Sequence, residues 1–139
     1  MAKRNSFSKD GFGRALKQFY AYLDAVPNTL QGYENVTTAA GASALDPSVY
    51  NSKIVTGGTE GNEPVTLADG TYVGQRKLIT EVTRTHASDV VVLPFAKILN
   101  ASDVQATSAT MTNAGFVLLE WTGAKWKALY LSNVTIATA

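Results

Sequence analysis

The chain has 139 residues, of which 45% are hydrophobic and 17% charged, and its net charge is +1. That length fits one ordinary domain with room for an appendage, and so small a charge makes no strong claim on nucleic acid or a membrane surface. The absence of cysteine excludes disulfides, thiolate nucleophiles and cysteine-bound zinc.

The charge is unevenly spread. Residues 1–17 hold Lys3, Arg4, Lys9, Arg14 and Lys17 against Asp10, a local balance of +4, while the rest carries seven cations and ten anions, or −3. A basic start on a mildly acidic body suggests an arm that contacts an acidic surface, or simply a solubilising terminus. The N-terminal stretch lacks the apolar run of a secretion signal, and no segment approaches the roughly 20 apolar residues of a membrane span. The expectation is a soluble protein made in a cytoplasm.

In chain order, the first element is an amphipathic helix over residues 10–26. Phe12, Leu16, Phe19, Leu23 and Val26 recur at steps of four, three, four and three, which places them on one face. Ser8 or Asp10 caps its start and Pro27 stops it. Residues 27–52 lose periodicity and read as an extended connector with little regular structure. That divides the chain into an N-terminal helix and arm (1–52) and a β-domain (53–139).

From Lys53 the chain reads as short strands. Asp69-Gly70 signals a tight turn between "VTL" and "YVGQRKLITEVTR", where Leu78, Thr80 and Val82 alternate with Ile79, Glu81 and Thr83. "VVVLPF" is a wholly apolar strand ended by Pro94, and "AKILN" and "SATMT" are weaker strands. "FVLLEWTGAKWKALYL" is a hairpin turning at Thr122-Gly123-Ala124, and "VTIAT" closes the chain. Short strands with no second helix among them point to an antiparallel β-sandwich or barrel.

Catalytic groups are thin. His86, the single histidine, lies in "RTHASD" three residues before Asp89 and reads as a surface-turn residue. Glu60 and Glu63 are the one carboxylate pair worth weighing for calcium, although their spacing matches no established loop. The glycine-rich "VTGGTEGNEP" lacks a Gly-Lys-Ser/Thr ending and a following helix, so it is no phosphate cradle. In a strand, Trp121 shares a face with Leu119 and Val117, and Trp126 with Ala128 and Tyr130. The two indoles then pair on one face as core. The alternative is a stacking platform for bases or sugars.

The segments "EPVTLADGTYVGQRKLITEV", "VVLP" and "GFVLLEWTGAKWKAL", behind a basic N-terminal helix and arm, resemble small structural proteins of tailed-bacteriophage virions, the head decoration, cement and fibre proteins. The likeness covers residues 63 to about 131. It implies a jelly-roll-like β-sandwich or barrel, a homotrimer on the outer capsid surface, and arms reaching the major capsid protein. It implies no catalytic residue, metal or cofactor. On this reading Phe12, Arg14, Leu16, Lys17, Phe19 and Leu23 contact the capsid. The other reading is a fibre-tip or carbohydrate-binding module using Trp121 and Trp126.

Overall fold

The computed structural model describes residues 14, 17–18, 32–39, 41–58 and 60–139. The helix expected over residues 10–26 and its stripe of Phe12, Leu16, Phe19, Leu23 and Val26 lie outside the described residues. Within that stretch Arg14, Lys17 and Gln18 are described, with helical backbone and exposed side chains.

From Tyr33 onward the chain is mainly β. Its strands are β1 (Tyr33–Thr37), β2 (Ser43–Leu45), β3 (Asn51–Val55), β4 (Asn62–Leu67), β5 (Arg76–Thr83), β6 (Val90–Val92), β7 (Ile98–Leu99), β8 (Ala106–Trp121) and β9 (Trp126–Thr138), with a short 3-10 turn at Phe95–Lys97. They form one sheet in the order β1-β3-β5-β8-β6-β4-β2, with β9 on β8 and β7 on β9, and the sheet curls into a nearly closed barrel-like form.

That order records how the chain winds. β1, β3 and β5 pair in parallel on one side, and β2, β4 and β6 pair in parallel on the other. Each odd strand passes through a short corner into the even strand that follows, so β1–β2, β3–β4 and β5–β6 are three successive coils. β8 runs against all of them. Its Phe116–Glu120 portion bonds β5 and its Thr110–Met111 portion bonds β6, so one long strand closes both halves. β9 follows β8 in antiparallel register for most of its length.

The corners are stacked and bonded like the strands. The amide of Thr38 donates to the carbonyl of Val55 at 2.9 Å, and that of Thr56 to Thr83 at 3.0 Å. At the opposite corner Leu78 donates to Tyr50 at 2.7 Å, and Gln75 and Trp121 are joined through a 2.8 Å bond from the Trp121 amide. Backbone groups that a loop would leave to water are therefore satisfied by the next coil.

Three expectations are corrected. The described part of residues 27–52 is not an irregular connector, because β1, β2 and the start of β3 lie there, and the boundary drawn at residue 52 falls inside β3. Strands of three to five residues with small or polar side chains carry little periodic signal; pairing with the next coil makes them strands. The sheet is mixed rather than antiparallel, since five of the eight strand pairings among the described residues are parallel. Asp69-Gly70 does not close a hairpin, for β4 pairs with β2 and β6 and β5 with β3 and β8. The hairpin at Thr122–Lys125 is present as expected, but "SATMT" and "VTIAT" are its far ends, continuous with β8 and β9.

The core lies inside the coils. Val36 faces Ile54, Leu45 faces Leu67, Ile79 faces Val117 and Val91 faces Met111 across the ladders, and all but Val36 are buried. The same inner surface also carries Ser52, Glu63, Lys77 and Glu81, each fully or nearly buried.

Candidate functional surfaces

The tryptophan pair sits at the closed end of the β8–β9 hairpin. Trp121 and Trp126 are directly opposite, with ring centroids 5.2 Å apart and planes tilted by 58°. Trp121 is 6% exposed and Trp126 0%. The Trp126 indole N–H donates to the Ala68 carbonyl at 3.0 Å, so its polar edge is satisfied within the fold. A Cβ on Gly70 would meet Trp121 Cγ at 2.4 Å, which explains the glycine that otherwise reads as a turn signal. The pair is core.

Tyr130, expected on the same inner face as Trp126 and Ala128, is instead 67% exposed. The ladder slips there: Leu119 faces Ala128 but Leu118 faces Tyr130, leaving Leu129 as an extra residue. A bulge of that kind reverses the alternation beyond it.

The glycine-rich corner is organised by two buried carboxylates. Glu63 accepts from the amides of Gly57 at 3.3 Å and Gly58 at 3.0 Å. Asp89 accepts from the Thr56 hydroxyl at 2.7 Å, the His86 amide at 2.9 Å and the Gly61 amide at 3.3 Å. Burial works to raise the Asp89 carboxyl, but these donors together outweigh it and hold it below the ordinary aspartate value. Glu60 is exposed and accepts from the Ser88 hydroxyl, so Glu60 and Glu63 are not brought together. Among the described residues no three His, Asp or Glu side chains gather as a metal site.

His86 Nδ1 lies 3.4 Å from Asp89 Oδ1 without the geometry of a hydrogen bond. Asp89 ties the turn through the His86 amide, while the His86 ring makes no hydrogen bond to it. Beside it Arg84 grips Glu81 with Nε and Nη2 at 2.7 and 2.9 Å. Glu81 holds the guanidinium above its ordinary value. Both line a shallow depression of about 230 Å³ with Val82, Thr83, Asn113 and Ala114. Asn113 and Ala114 both have positive φ, at 50° and 54°, where β8 turns its own corner.

At the other corner Lys77 is fully buried. Its ammonium donates to the carbonyls of Asp46 at 2.6 Å and Val49 at 2.7 Å, and Glu34 Oε1 lies 3.5 Å away. Burial pulls the ammonium below the ordinary lysine value, with Glu34 working against it. Glu34 also accepts from the Asp46 amide at 2.9 Å and from the Ser52 hydroxyl, which ties β1 to the end of β2. Gln75 completes the corner, donating to the Pro47 carbonyl at 2.7 Å and accepting from the Thr71 amide. This is a structural clasp.

The outer surface of the odd-strand side is more apolar. Tyr33, Asn51, Leu78, Leu118 and Tyr130 form one row across β1, β3, β5, β8 and β9, and Asn35, Lys53, Thr80, Phe116 and Ser132 form the next. Lys53 lies over the Tyr33 ring at 3.9 Å. On this surface Tyr33, Phe116 and Tyr130 are exposed. Alternation drew attention to the tryptophans and missed these residues, because β1, β3 and β5 are aligned by long-range parallel pairing and the bulge at Leu129 turns Tyr130 outward.

Of the residues expected to contact a partner, Arg14 and Lys17 are exposed, while Phe12, Leu16, Phe19 and Leu23 lie outside the described residues. Comparison with protein-family models and with curated proteins finds no match.

Proposed function

We propose that this chain is a non-enzymatic structural protein of a virion, which binds the outer capsid surface and stabilises the head. The basic N-terminal segment contacts the major capsid protein, and the coiled β-body stands on the shell. Several copies act together, each bringing one arm, so that weak individual contacts add up to firm attachment.

One observation carries this reading. The buried ionisable groups of the body, Glu63, Glu81, Asp89 and Lys77, are all engaged in bonds that order corners, while Arg14 and Lys17 ahead of it are exposed. The body's buried charges are spent on rigidity, and the described cations ahead of it are exposed. The likeness of residues 63–131 to decoration and cement proteins supports the same role. The carbohydrate reading built on Trp121 and Trp126 loses its platform, since both indoles are inside.

Removing residues 1–30 tests the proposal. The shortened chain is expected to fold, judged by circular dichroism, and to lose co-sedimentation with purified capsids. Full-length binding should also weaken as salt rises, as contacts between exposed charges do. Undiminished capsid binding by the shortened chain would refute the role given to the arm.

A further inference from the structure

We propose that the free edge of β9 pairs, antiparallel and across a two-fold axis, with the same edge of a second copy of this chain. β9 is bonded to β8 on one side, but on the other β7 pairs only with Trp126 and Lys127. Among the described residues no strand lies along that second edge from Ala128 to Thr138.

The sequence of this edge is unusual for one left open. Residues 128–139, "ALYLSNVTIATA", contain no charge and no proline and are rich in strand-forming types. Exposed edges are ordinarily blunted by lysine, proline, an inward charge or a bulge, and of these only bulges occur here. Here the extra residue Leu129 and the positive φ of Asn133, 51°, bend the strand but leave Tyr130–Ser132 open between them.

The side chains specify how a partner must approach. Tyr130 is 67% exposed and Leu131 49%, and as neighbours in a strand they point to opposite faces. A flat surface docking on the sheet covers one of them. A strand added edge-on carries side chains on both faces and covers both.

The second copy follows from charge and shape. An uncharged edge offers nothing to the acidic surface that the basic arm is suited to, so arm and edge address different partners. In an antiparallel pair centred on Leu131, each Tyr130 lies beside the partner's Ser132, a large side chain against a small one. Two uncharged edges also meet without repulsion. This inference departs from the homotrimer that the resemblance implies, since a two-fold edge closes after two copies. It rests on the proposed assembly only in needing more than one copy, and it holds whether or not the partner surface is a capsid.

The full-length chain is measured by light scattering beside Tyr130→Lys/Leu131→Lys and Leu131→Cys. The native chain is expected to have the mass of two copies, and the lysine pair half that mass with unchanged circular dichroism. The chain has no cysteine, so Leu131→Cys is expected to form a disulfide between copies, at the 4.5–5.5 Å Cα separation of facing antiparallel residues. If the lysine pair fails to fold, Tyr130→Ser replaces it and shifts dissociation to higher concentration. A single-copy native mass, an assembly that survives the substitutions, or Leu131→Cys that stays uncrosslinked overturns the proposal. A two-copy protein that does not bind capsids sinks the capsid reading alone.

Discussion

Gly70 and Trp121 show how one residue can serve packing where its type advertises a turn. Its φ is not in the left-handed region, and what forbids a side chain is the indole 2.4 Å from where a Cβ would sit. Gly70→Ala is therefore expected to cost about 1–3 kcal/mol, the usual penalty of overpacking, measured by urea unfolding. Lys77→Met is expected to cost about 2–5 kcal/mol, because two carbonyls lose their donor inside the fold. Asp89 gives a pH signature. Its carboxyl is held below its ordinary 3.8 in the folded protein, so below that value the unfolded chain takes up the proton first. Its stabilisation is then complete above the ordinary value and is lost as pH falls through the folded one. Asp89→Asn should lower stability at neutral pH and flatten the acid limb of a stability-against-pH curve measured by thermal unfolding.

Among the elements, the corner of β8 is the place where backbone strain and topology meet. Four residues of β8, from Thr112 to Gly115, are set against Asn133 alone between the pairs Met111–Val134 and Phe116–Ser132. Asn133 Nδ2 closes the corner with a 2.8 Å bond to the Asn113 carbonyl. Ala114 holds a φ of 54°, which costs an alanine about 1–2 kcal/mol relative to the right-handed region. Ala114→Gly removes that cost at some expense in chain entropy, so a gain of up to about 1 kcal/mol in denaturant unfolding is expected. The same corner explains what was legible beforehand. The β8–β9 hairpin announced itself because antiparallel strands joined by a tight turn write their register into adjacent sequence. The coils did not, because Val36 finds Ile54, and Leu45 finds Leu67, only after the chain has made a full circuit. Their inner faces also break the apolar rule, with Lys77 and Glu81 pointing inward around Ile79 while Val82 faces solvent. The edge of β9 was hidden behind the bulge at Leu129.

For the molecule as a whole, the decisive fact is that the two parallel halves share one strand. β5 and β6 do not pair with each other; each bonds β8, and β8 carries β9. Among the described residues, nine of the seventeen buried apolar side chains, from Ala106 to Val134, belong to these last two strands, both tryptophans among them. Each large side chain of that kind contributes about 1.5–3 kcal/mol when buried, against a total stability on the order of 5–15 kcal/mol for a domain. A chain ending at Gln105 would retain all three coils but leave β5 and β6 as open edges over a core stripped of its far wall. Loss of the hairpin therefore exceeds any plausible stability of the remainder, and the truncated chain is expected to show no cooperative unfolding transition by circular dichroism. The chain beginning at Gly32 keeps every strand described and should unfold cooperatively. If the 1–105 fragment instead melts cooperatively, the coils are self-sufficient and β8–β9 is an addition to the fold rather than its keystone.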